Sequence, residues 1–245
     1  MTFSTITYEK CELIGRITLS RPDVLNAYSV QMRDELYEVL QAVRDDDEVR
    51  VLIIRGAGRA FCAGADLREF GTAPSPVAAR HIRFARDVWG QLHSLFRPTI
   101  MQLHGFVFGS GLELALFGTF RIAAEGTQFR LPEVQLGMVP AAGGTQTLPR
   151  VVSVSAALEL LLTGRQFETA EALRLGILTR VVPPDRLEPE VNGLAAELAA
   201  LNPTLVAAVI RAVRDGSDLP MRQALDLERR LASSIQAHRS TDGAA

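Results

Sequence analysis

The sequence has few cysteines, since only Cys11 and Cys62 occur among its 245 residues. Two thiols cannot form a disulfide framework or a cysteine-rich zinc site, so we expect both to be reduced. The N-terminal residues lack the basic segment and apolar core of a signal peptide, and no apolar run reaches the ~18 residues that a membrane span requires. These absences predict a cytoplasmic protein with no membrane partner.

An excess of charge of either sign is also lacking, because the chain has 26 lysine and arginine residues and 28 acidic residues. The net charge of −2 provides no field that would attract a nucleic-acid backbone or an anionic bilayer. Hydrophobic residues (47%) and charged residues (22%) lie near the average for globular proteins. We therefore expect a folded globular protein that does not bind nucleic acid.

Several common catalytic motifs are missing as well. The stretch Gly56–Phe61 lacks the third glycine of the G-x-G-x-x-G dinucleotide motif, and no P-loop G-K-[ST] occurs. Ser110 has Phe108 and Leu112 where the G-x-S-x-G motif of serine hydrolases requires glycines. The histidines show no metal-ligand spacing such as H-E-x-x-H. The sequence thus predicts neither a nucleotide cofactor nor a metal site.

What is present is an alternation of strand and helix patterns. Phe3–Lys10 and Leu13–Leu19 predict an antiparallel pair, and Ser29 caps a predicted helix. Val51–Gly56 is an apolar run typical of a buried strand. Further on, the patterns predict a helix at Pro76–Phe96, a strand at Thr99–His104, a short apolar helix, and an almost wholly helical chain from about Ser155, with helices at Glu168–Leu175, Leu187–Ala200, Pro203–Asp215 and Leu219–Ala237. This order is typical of an α/β or α+β fold.

Glu113 stands in the middle of the apolar helix, shortly after Gly109 and Gly111. A buried carboxylate costs several kcal/mol unless it is paired or protonated, so Glu113 is either part of a structural pair or a functional group. The two glycines would let a ligand approach the N–H groups of the helix start, where negative charge is favoured. They would equally suit a tight turn packed on a strand, so both interpretations stay open.

Glu133 follows Pro132 in a segment rich in glycine and proline, 20 residues after Glu113 (133 − 113 = 20). Loops of this kind often carry function, although a solvent-exposed loop glutamate is the simpler alternative. Ala60–Leu67 places small residues directly after the buried strand, where α/β sheets commonly bind ligands.

Taken together, these segments resemble the enoyl-CoA hydratase/isomerase (crotonase) superfamily over most of the chain. The motifs that carry the resemblance are RPDVLNAYS (Arg21–Ser29), GAGRAFCAGADL (Gly56–Leu67), HGFVFGSGLELAL (His104–Leu116) and LPEVQLGMVPAAGGTQTLPR (Leu131–Arg150). The resemblance implies an α/β fold with a crotonase-like spiral of ββα units in residues 1–190 and a helical C-terminal trimerisation region in residues 191–245. It also implies a homo-oligomer, either a trimer or a hexamer built as a dimer of trimers.

The resemblance further implies a binding site for an acyl-CoA thioester. The backbone N–H groups of Ala65 and Ser110, with Gly111 beside them, would form an oxyanion hole for the thioester oxygen. Coenzyme A would lie near Val24, Leu25, Ala63, Asp66 and Leu67. Because coenzyme A is part of the substrate, no separate cofactor is expected.

Glu113 and Glu133 match the carboxylate pair of true hydratases, which implies addition of water across the 2,3 double bond of an enoyl-CoA to give a 3-hydroxyacyl-CoA. Glu133 would donate the proton to the α-carbon and Glu113 would activate the water. The alternatives are isomerase, hydrolase or decarboxylase activity on the same scaffold, or a non-catalytic CoA-binding protein. Two positions depart from the usual family pattern, namely Ser110 in place of glycine and Gly118-Thr119 in place of Cys-Asp.

Overall fold

The computed structural model describes the backbone of residues 3–242, and their side chains except at positions 79, 80, 83, 84 and 236–242. Its larger sheet has six strands in the order β1-β2-β3-β4-β6-β9. These strands are β1 (Ile6–Cys11), β2 (Ile14–Leu19), β3 (Val51–Gly56), β4 (Thr99–Leu103), β6 (Phe120–Ala124) and β9 (Arg180–Val182). Strand β1 pairs antiparallel with β2, and all other neighbours pair in parallel.

A smaller sheet contains the strands β5 (Phe106–Phe108), β7 (Gln128–Arg130) and β8 (Phe167–Glu168). Strand β5 follows β4 after two residues, and β7 follows β6 after three, so successive strands alternate between the two sheets. Each of these strand pairs then leads into a helix, as β1 and β2 do. The predicted ββα units are therefore confirmed.

The described helices are α1 (Val30–Asp45), α2 (Pro76–Phe84), α3 (Val88–His93), α4 (Ser110–Leu116), α5 (Gly144–Thr147), α6 (Val154–Thr163), α7 (Thr169–Arg174), α8 (Leu187–Ala199), α9 (Pro203–Gly216) and α10 (Met221–Asp242). The predicted cap of α1 is confirmed, since the Ser29 side chain accepts a hydrogen bond from the Met32 N–H. The apolar residues at helical spacing in α1 are all buried, namely Met32, Leu36, Val39, Leu40 and Val43.

Side chains of the central strand β3 point alternately to the two faces of the larger sheet, as the pleat of a strand requires. Leu52 and Ile54 belong to the main core, which also contains the buried face of α1. Val51 and Ile53 belong to a second core on the opposite face, where they pack with residues of α8 such as Val191. The sheet is thus covered on both faces, which explains the continuous apolar run in its sequence.

Two sequence predictions of secondary structure were wrong. Pro76–Phe96 is not one helix, because the chain breaks after α2 and restarts at Asp87, whose side chain accepts from the Gly90 N–H and so caps α3. The chain after Ser155 is not almost wholly helical either, since β8 and β9 lie between its helices. Both strands are only two or three residues long and depend on pairing with β7 and β6.

Residue 190 lies inside α8, which packs against the larger sheet. The predicted boundary between a spiral core and a C-terminal helical region at this residue stays a prediction. Beyond it, α9 and α10 pack against each other. Among the residues that the structure describes, no single helix is long and apolar enough to cross a membrane. A bent pair, Pro184–Ala199 with Pro203–Gly216 at 106°, passes that test by length and composition only.

Candidate active site

Two chain segments run side by side in parallel register at the start of α4. Cys62 forms a β-bridge with Val107, exchanging backbone hydrogen bonds of 3.1 and 3.0 Å with the residues on either side of it, Phe106 and Phe108. Two residues further along both segments, a Cβ placed on Gly109 would lie 3.6 Å from the Gly64 Cα. Ala65 and Ser110 are the residues that directly follow these two neighbouring glycines.

The backbone N–H groups of Ala65 and Ser110 have no backbone acceptor within the described part of the chain. Ser110 is the first residue of α4, and the N–H groups of a first helical turn have no partner inside their helix. Unpaired N–H groups at a helix start favour the binding of a negatively charged group. The predicted oxyanion hole at Ala65 and Ser110 stays a prediction.

The loop that carries Ala65 is held by Asn26, a fully buried residue of the RPDVLNAYS motif. The Asn26 Nδ2 donates to the carbonyls of Ala57 and Ala60, both at 2.8 Å, and its Oδ1 accepts from the Arg21 N–H. Asn26 adopts a φ of 56°, in the left-handed region that asparagine tolerates better than most residues. One buried amide therefore ties the start of this loop to the segment that contains Arg21.

The residues predicted to contact coenzyme A lie in the same loop or directly against it. The Leu25 carbonyl accepts from the Ala63 N–H at 3.0 Å, so these two residues and the neighbouring Val24 lie together. Leu67 is exposed, with 55% of its surface accessible. Asp66 is buried and accepts hydrogen bonds from Arg68 and Arg21, which hold the pKa of its carboxyl well below the usual range. Asp66 therefore anchors the loop through these two ion pairs.

The Glu113 side chain is 1% exposed and lies one turn into α4. Its Oε1 accepts hydrogen bonds from the backbone N–H groups of Ala142 (3.0 Å) and Gly144 (2.9 Å). A Cβ on Gly144 would lie 2.9 Å from this oxygen, so only glycine lets the loop approach so closely. Hydrogen bonds to an ionised carboxylate are stronger than neutral ones, and this loop supplies two.

Glu133 begins a short 3₁₀ turn after β7 and is half-buried. A Cβ on Gly109 would lie 2.7 Å from its Oε1, so the carboxyl group rests directly against the residue that caps α4. Its Oε2 is buried and has no hydrogen-bond partner among the described residues. Burial raises the pKa of Glu133 above its ordinary value of 4.5, which favours the protonated form.

The structure therefore brings both glutamates and both N–H donors to the start of α4. Sequence reasoning missed the two N–H donors to Glu113, although the double glycine at Gly143 and Gly144 was visible inside a quoted motif. It also missed Asn26, whose central place in RPDVLNAYS was the available signal. Within the described residues, no group of three or more His, Cys, Asp or Glu side chains could hold a metal ion.

Comparison with known proteins adds an independent line of evidence. A family model described as "Enoyl-CoA hydratase/isomerase" matches residues 9–244. The "Probable enoyl-CoA hydratase echA8" of Mycobacterium bovis is 36% identical over 237 residues, covering 97% of this chain and 91% of the relative. The "Crotonyl-CoA hydratase" of Syntrophomonas wolfei is 34% identical over 229 residues, covering 93% of this chain and 88% of the relative.

The fold is also similar to solved structures. A Thermobifida fusca YX protein solved in complex with CoA superposes with a TM-score of 0.91 at 29% sequence identity, covering 97% of this chain and 95% of that chain. Similarity over nearly the whole of both chains extends to the C-terminal helices as well as to the two sheets.

Proposed function

The chain belongs to the enoyl-CoA hydratase/isomerase family and has its crotonase fold, and from this premise we propose that it adds water across the 2,3 double bond of a 2-enoyl-CoA thioester to give a 3-hydroxyacyl-CoA. The observation that carries the proposal is the convergence of two carboxyl groups on one helix start. Glu113 lies one turn into α4, and Glu133 rests against Gly109 at its cap. A single carboxyl group would suffice for isomerisation, whereas hydration uses a proton donor and a base for water.

The thioester oxygen would accept hydrogen bonds from the Ala65 and Ser110 N–H groups. As water adds at the β-carbon, negative charge develops on this oxygen, and donors fixed in advance stabilise that charge without reorganising. Because the donors are backbone groups, the serine at position 110 supplies the same N–H as a glycine. Val24, Leu25, Ala63 and Leu67 would line the approach of coenzyme A to these donors.

The environments of the two glutamates favour different roles. Glu133 has a raised pKa and an unpartnered Oε2, so it is suited to hold a proton and deliver it to the α-carbon. Glu113 accepts two N–H hydrogen bonds, which stabilise a charged carboxylate that can orient and deprotonate water. No cofactor beyond the coenzyme A of the substrate enters these steps.

The test is an assay of the purified protein with 2-enoyl-CoA substrates of short, long and aromatic acyl groups, followed by product identification by mass. We expect loss of the enoyl-thioester absorbance and formation of the 3-hydroxyacyl-CoA. Glu113→Gln and Glu133→Gln should each lower kcat by about 10²- to 10⁴-fold, the usual contribution of a general acid or base.

Glu125→Gln is a matched control, because Glu125 is an exposed glutamate in the turn between β6 and β7. Its activity should equal that of the wild type. Unchanged rates in both active-site variants would contradict the assigned roles, and a product with a shifted double bond in place of a hydroxyl group would identify an isomerase.

We also propose a homo-oligomer, a trimer or a dimer of trimers, in the cytoplasm. The support is a row of exposed apolar side chains on α6, Val154, Leu158 and Leu162, and a second row on α9 that includes Val209 and Val213. Residues four apart lie on one helix face, so each row is a continuous apolar surface that a second copy of the chain would cover.

Light scattering during size-exclusion chromatography measures the oligomeric state directly. A mass of three or six times 26.7 kDa is expected, and Val209→Glu with Val213→Glu should reduce it. A wild-type mass equal to one chain at micromolar concentration would overturn the oligomer proposal and leave the catalytic one in place.

A further inference from the structure

Glu113 and Phe117 are neighbours on the surface of one short helix. They are four residues apart, and Phe117 keeps the helical backbone conformation as the residue that ends α4. The Glu113 Oε1 accepts hydrogen bonds from the N–H groups of Ala142 and Gly144, the two residues that flank Gly143. The carboxyl group and the aromatic ring therefore both belong to α4, and the turn at residues 142–144 binds the first of them.

The Phe117 ring packs against Gly143, the residue between the two N–H donors. A Cβ on Gly143 would lie 2.8 Å from both the Cε2 and the Cζ atoms of the ring, closer than real Cβ atoms come to their neighbours. Gly143 also has a φ of 101°, in the left-handed region that favours glycine. The ring thus occupies the space that a side chain at position 143 would need, and its edge lies next to the backbone of the turn.

Both the ring and the turn have a second support. Trp89 of α3 stacks on Phe117, with ring centroids 6.0 Å apart and an interplanar angle of 25°, and both side chains pack against the main core. The Gly143 carbonyl accepts from the Thr147 N–H at 2.8 Å, which ties the turn to α5. Gly143 is therefore held by the ring and by α5 together, and the N–H groups on either side of it share that restriction.

We propose that Phe117 is a positioning residue that keeps Glu113 in its working place by seating the turn at residues 142–144. The inference rests on the proposed hydratase function and adds to it a residue that acts through Gly143. Removing the ring gives the turn freedom to move, and the Glu113 carboxyl group then loses two fixed donors. A misplacement of about 1 Å at a catalytic group costs about 100-fold in rate.

The experiment compares Phe117→Ala with the wild type on a 2-enoyl-CoA that the wild type hydrates. The kcat should fall by about 10- to 100-fold, because Glu113 is no longer held in place. The KM should change by less than about twofold, because the effect falls on the chemical step and leaves substrate binding intact.

A double-mutant cycle measures whether Phe117 acts through Glu113. In the Glu113→Gln background, Phe117→Ala should lower kcat by less than about threefold, since the group that the ring positions is already absent. In the Glu133→Gln background, the same substitution should keep its effect of about 10- to 100-fold. Equal factors in the wild type and in both backgrounds would indicate general structural damage and overturn the inference.

Phe96→Ala is the matched control, because Phe96 is also a partly buried aromatic residue and its ring contacts the guanidinium groups of Arg211 and Arg214. This control should leave kcat unchanged although it lowers the melting temperature. A loss of kcat in Phe96→Ala as large as that in Phe117→Ala would overturn the inference, as would a wild-type kcat in Phe117→Ala.

Two further variants grade the contact. Phe117→Leu fills the core but ends short of the Cε2 and Cζ positions, so kcat should still fall by at least about threefold even where Phe117→Ala does not fold. Phe117→Met has a longer, flexible side chain that can reach the turn, and it should bring kcat back to within about twofold of the wild type. A wild-type kcat in Phe117→Leu would contradict a role for the ring edge.

Hydrogen–deuterium exchange of a peptide that contains residues 142–144, measured by mass spectrometry, gives a readout that is independent of activity. Exchange should be faster in Phe117→Ala and unchanged in Phe96→Ala, and equal exchange in Phe117→Ala and the wild type would overturn the inference. If the wild type hydrates no 2-enoyl-CoA, the proposed function fails and the catalytic part of this inference fails with it. Faster exchange would then still support the seating of the turn by Phe117.

Discussion

The two glutamates of the candidate site, Glu113 and Glu133, occupy contrasting environments near the start of α4. Glu113 is almost fully buried, yet a loop donates two backbone N–H groups to one of its oxygens. Glu133 is less buried, yet one of its oxygens has no partner among the described residues. The difference teaches that depth alone does not set how well a carboxyl group is hydrogen-bonded, because the more deeply buried of the two has the donors.

Each of the two carboxyl groups also lies in close contact with one glycine. Gly144 approaches Glu113 from the loop that also contains Ala142, and Gly109 approaches Glu133 from the cap of α4. The two glycines differ in backbone conformation, since Gly109 has a φ of 48° and a ψ of −124°, a region that side chains strongly disfavour. Alanine at these two positions therefore tests the two sites by different physical effects.

Gly144→Ala should give the largest effect on activity with a modest effect on stability. The new Cβ would lie 2.9 Å from the Glu113 Oε1 and would displace the carboxylate, and a misplacement of ~1 Å at a catalytic group costs about 100-fold in rate. Gly109→Ala should lower both the rate and the melting temperature, because it adds backbone strain of about 1–3 kcal/mol to the clash with Glu133. Initial rates and thermal unfolding measure both effects.

Gly193→Ala is the control for this pair, because a Cβ there meets nothing within 4 Å and the residue lies inside α8. It should leave the rate unchanged and raise the free energy of unfolding by about 0.5–1 kcal/mol. Wild-type activity in Gly144→Ala would show that the loop does not hold Glu113 in its working position.

A smaller effect concerns the pH dependence of stability. The pKa of Glu133 is raised in the folded state, so the folded protein holds a proton that the unfolded chain releases above about pH 4.5. The wild type should therefore lose stability relative to Glu133→Gln as the pH rises from 4.5 through the folded-state pKa. Because Glu133 is only partly buried, solvent screening limits the difference to at most about 1 kcal/mol.

Denaturant unfolding of both proteins between pH 4 and pH 8 provides the measurement, and the difference between them cancels the titration of all other groups. Glu113→Gln serves as the contrast, because it replaces the acceptor of two buried backbone hydrogen bonds and should be destabilised by about 1–2 kcal/mol at neutral pH. A Glu133→Gln curve parallel to that of the wild type would remove the case for Glu133 as the proton donor.

Local patterns in the sequence were sufficient to predict the long elements. The apolar run of β3, the helical spacing of α1 and the cap at Ser29 each carry their own signal. The strands β8 and β9 could not be predicted, because two or three residues show no periodicity and form only when a neighbouring strand is already in place. The break before α3 had a visible signal in Asp87, a common N-cap residue.

The candidate site was predictable in its residue types and less so in its contacts. The glycines around Ser110 and the two glutamates could be identified from the motifs, and their positions are consistent with one site. The N–H donors to Glu113 come from a loop 29 to 31 residues away, and the Trp89 ring packs against those of Tyr28 and Phe117, which lie in two other segments. Contacts of this kind depend on tertiary packing, which no local pattern records.

The parallel register of the Cys62–Ala65 and Val107–Ser110 segments has a consequence for mutational robustness. Both candidate donors of the oxyanion hole are peptide N–H groups, whose positions depend on the path of the backbone and hardly at all on the side chains they carry. Among single substitutions at Ala65 or Ser110, only proline deletes the donor itself. Helices α2 and α3 lie between the two segments in the sequence, so their residues can change while the two N–H groups keep their places.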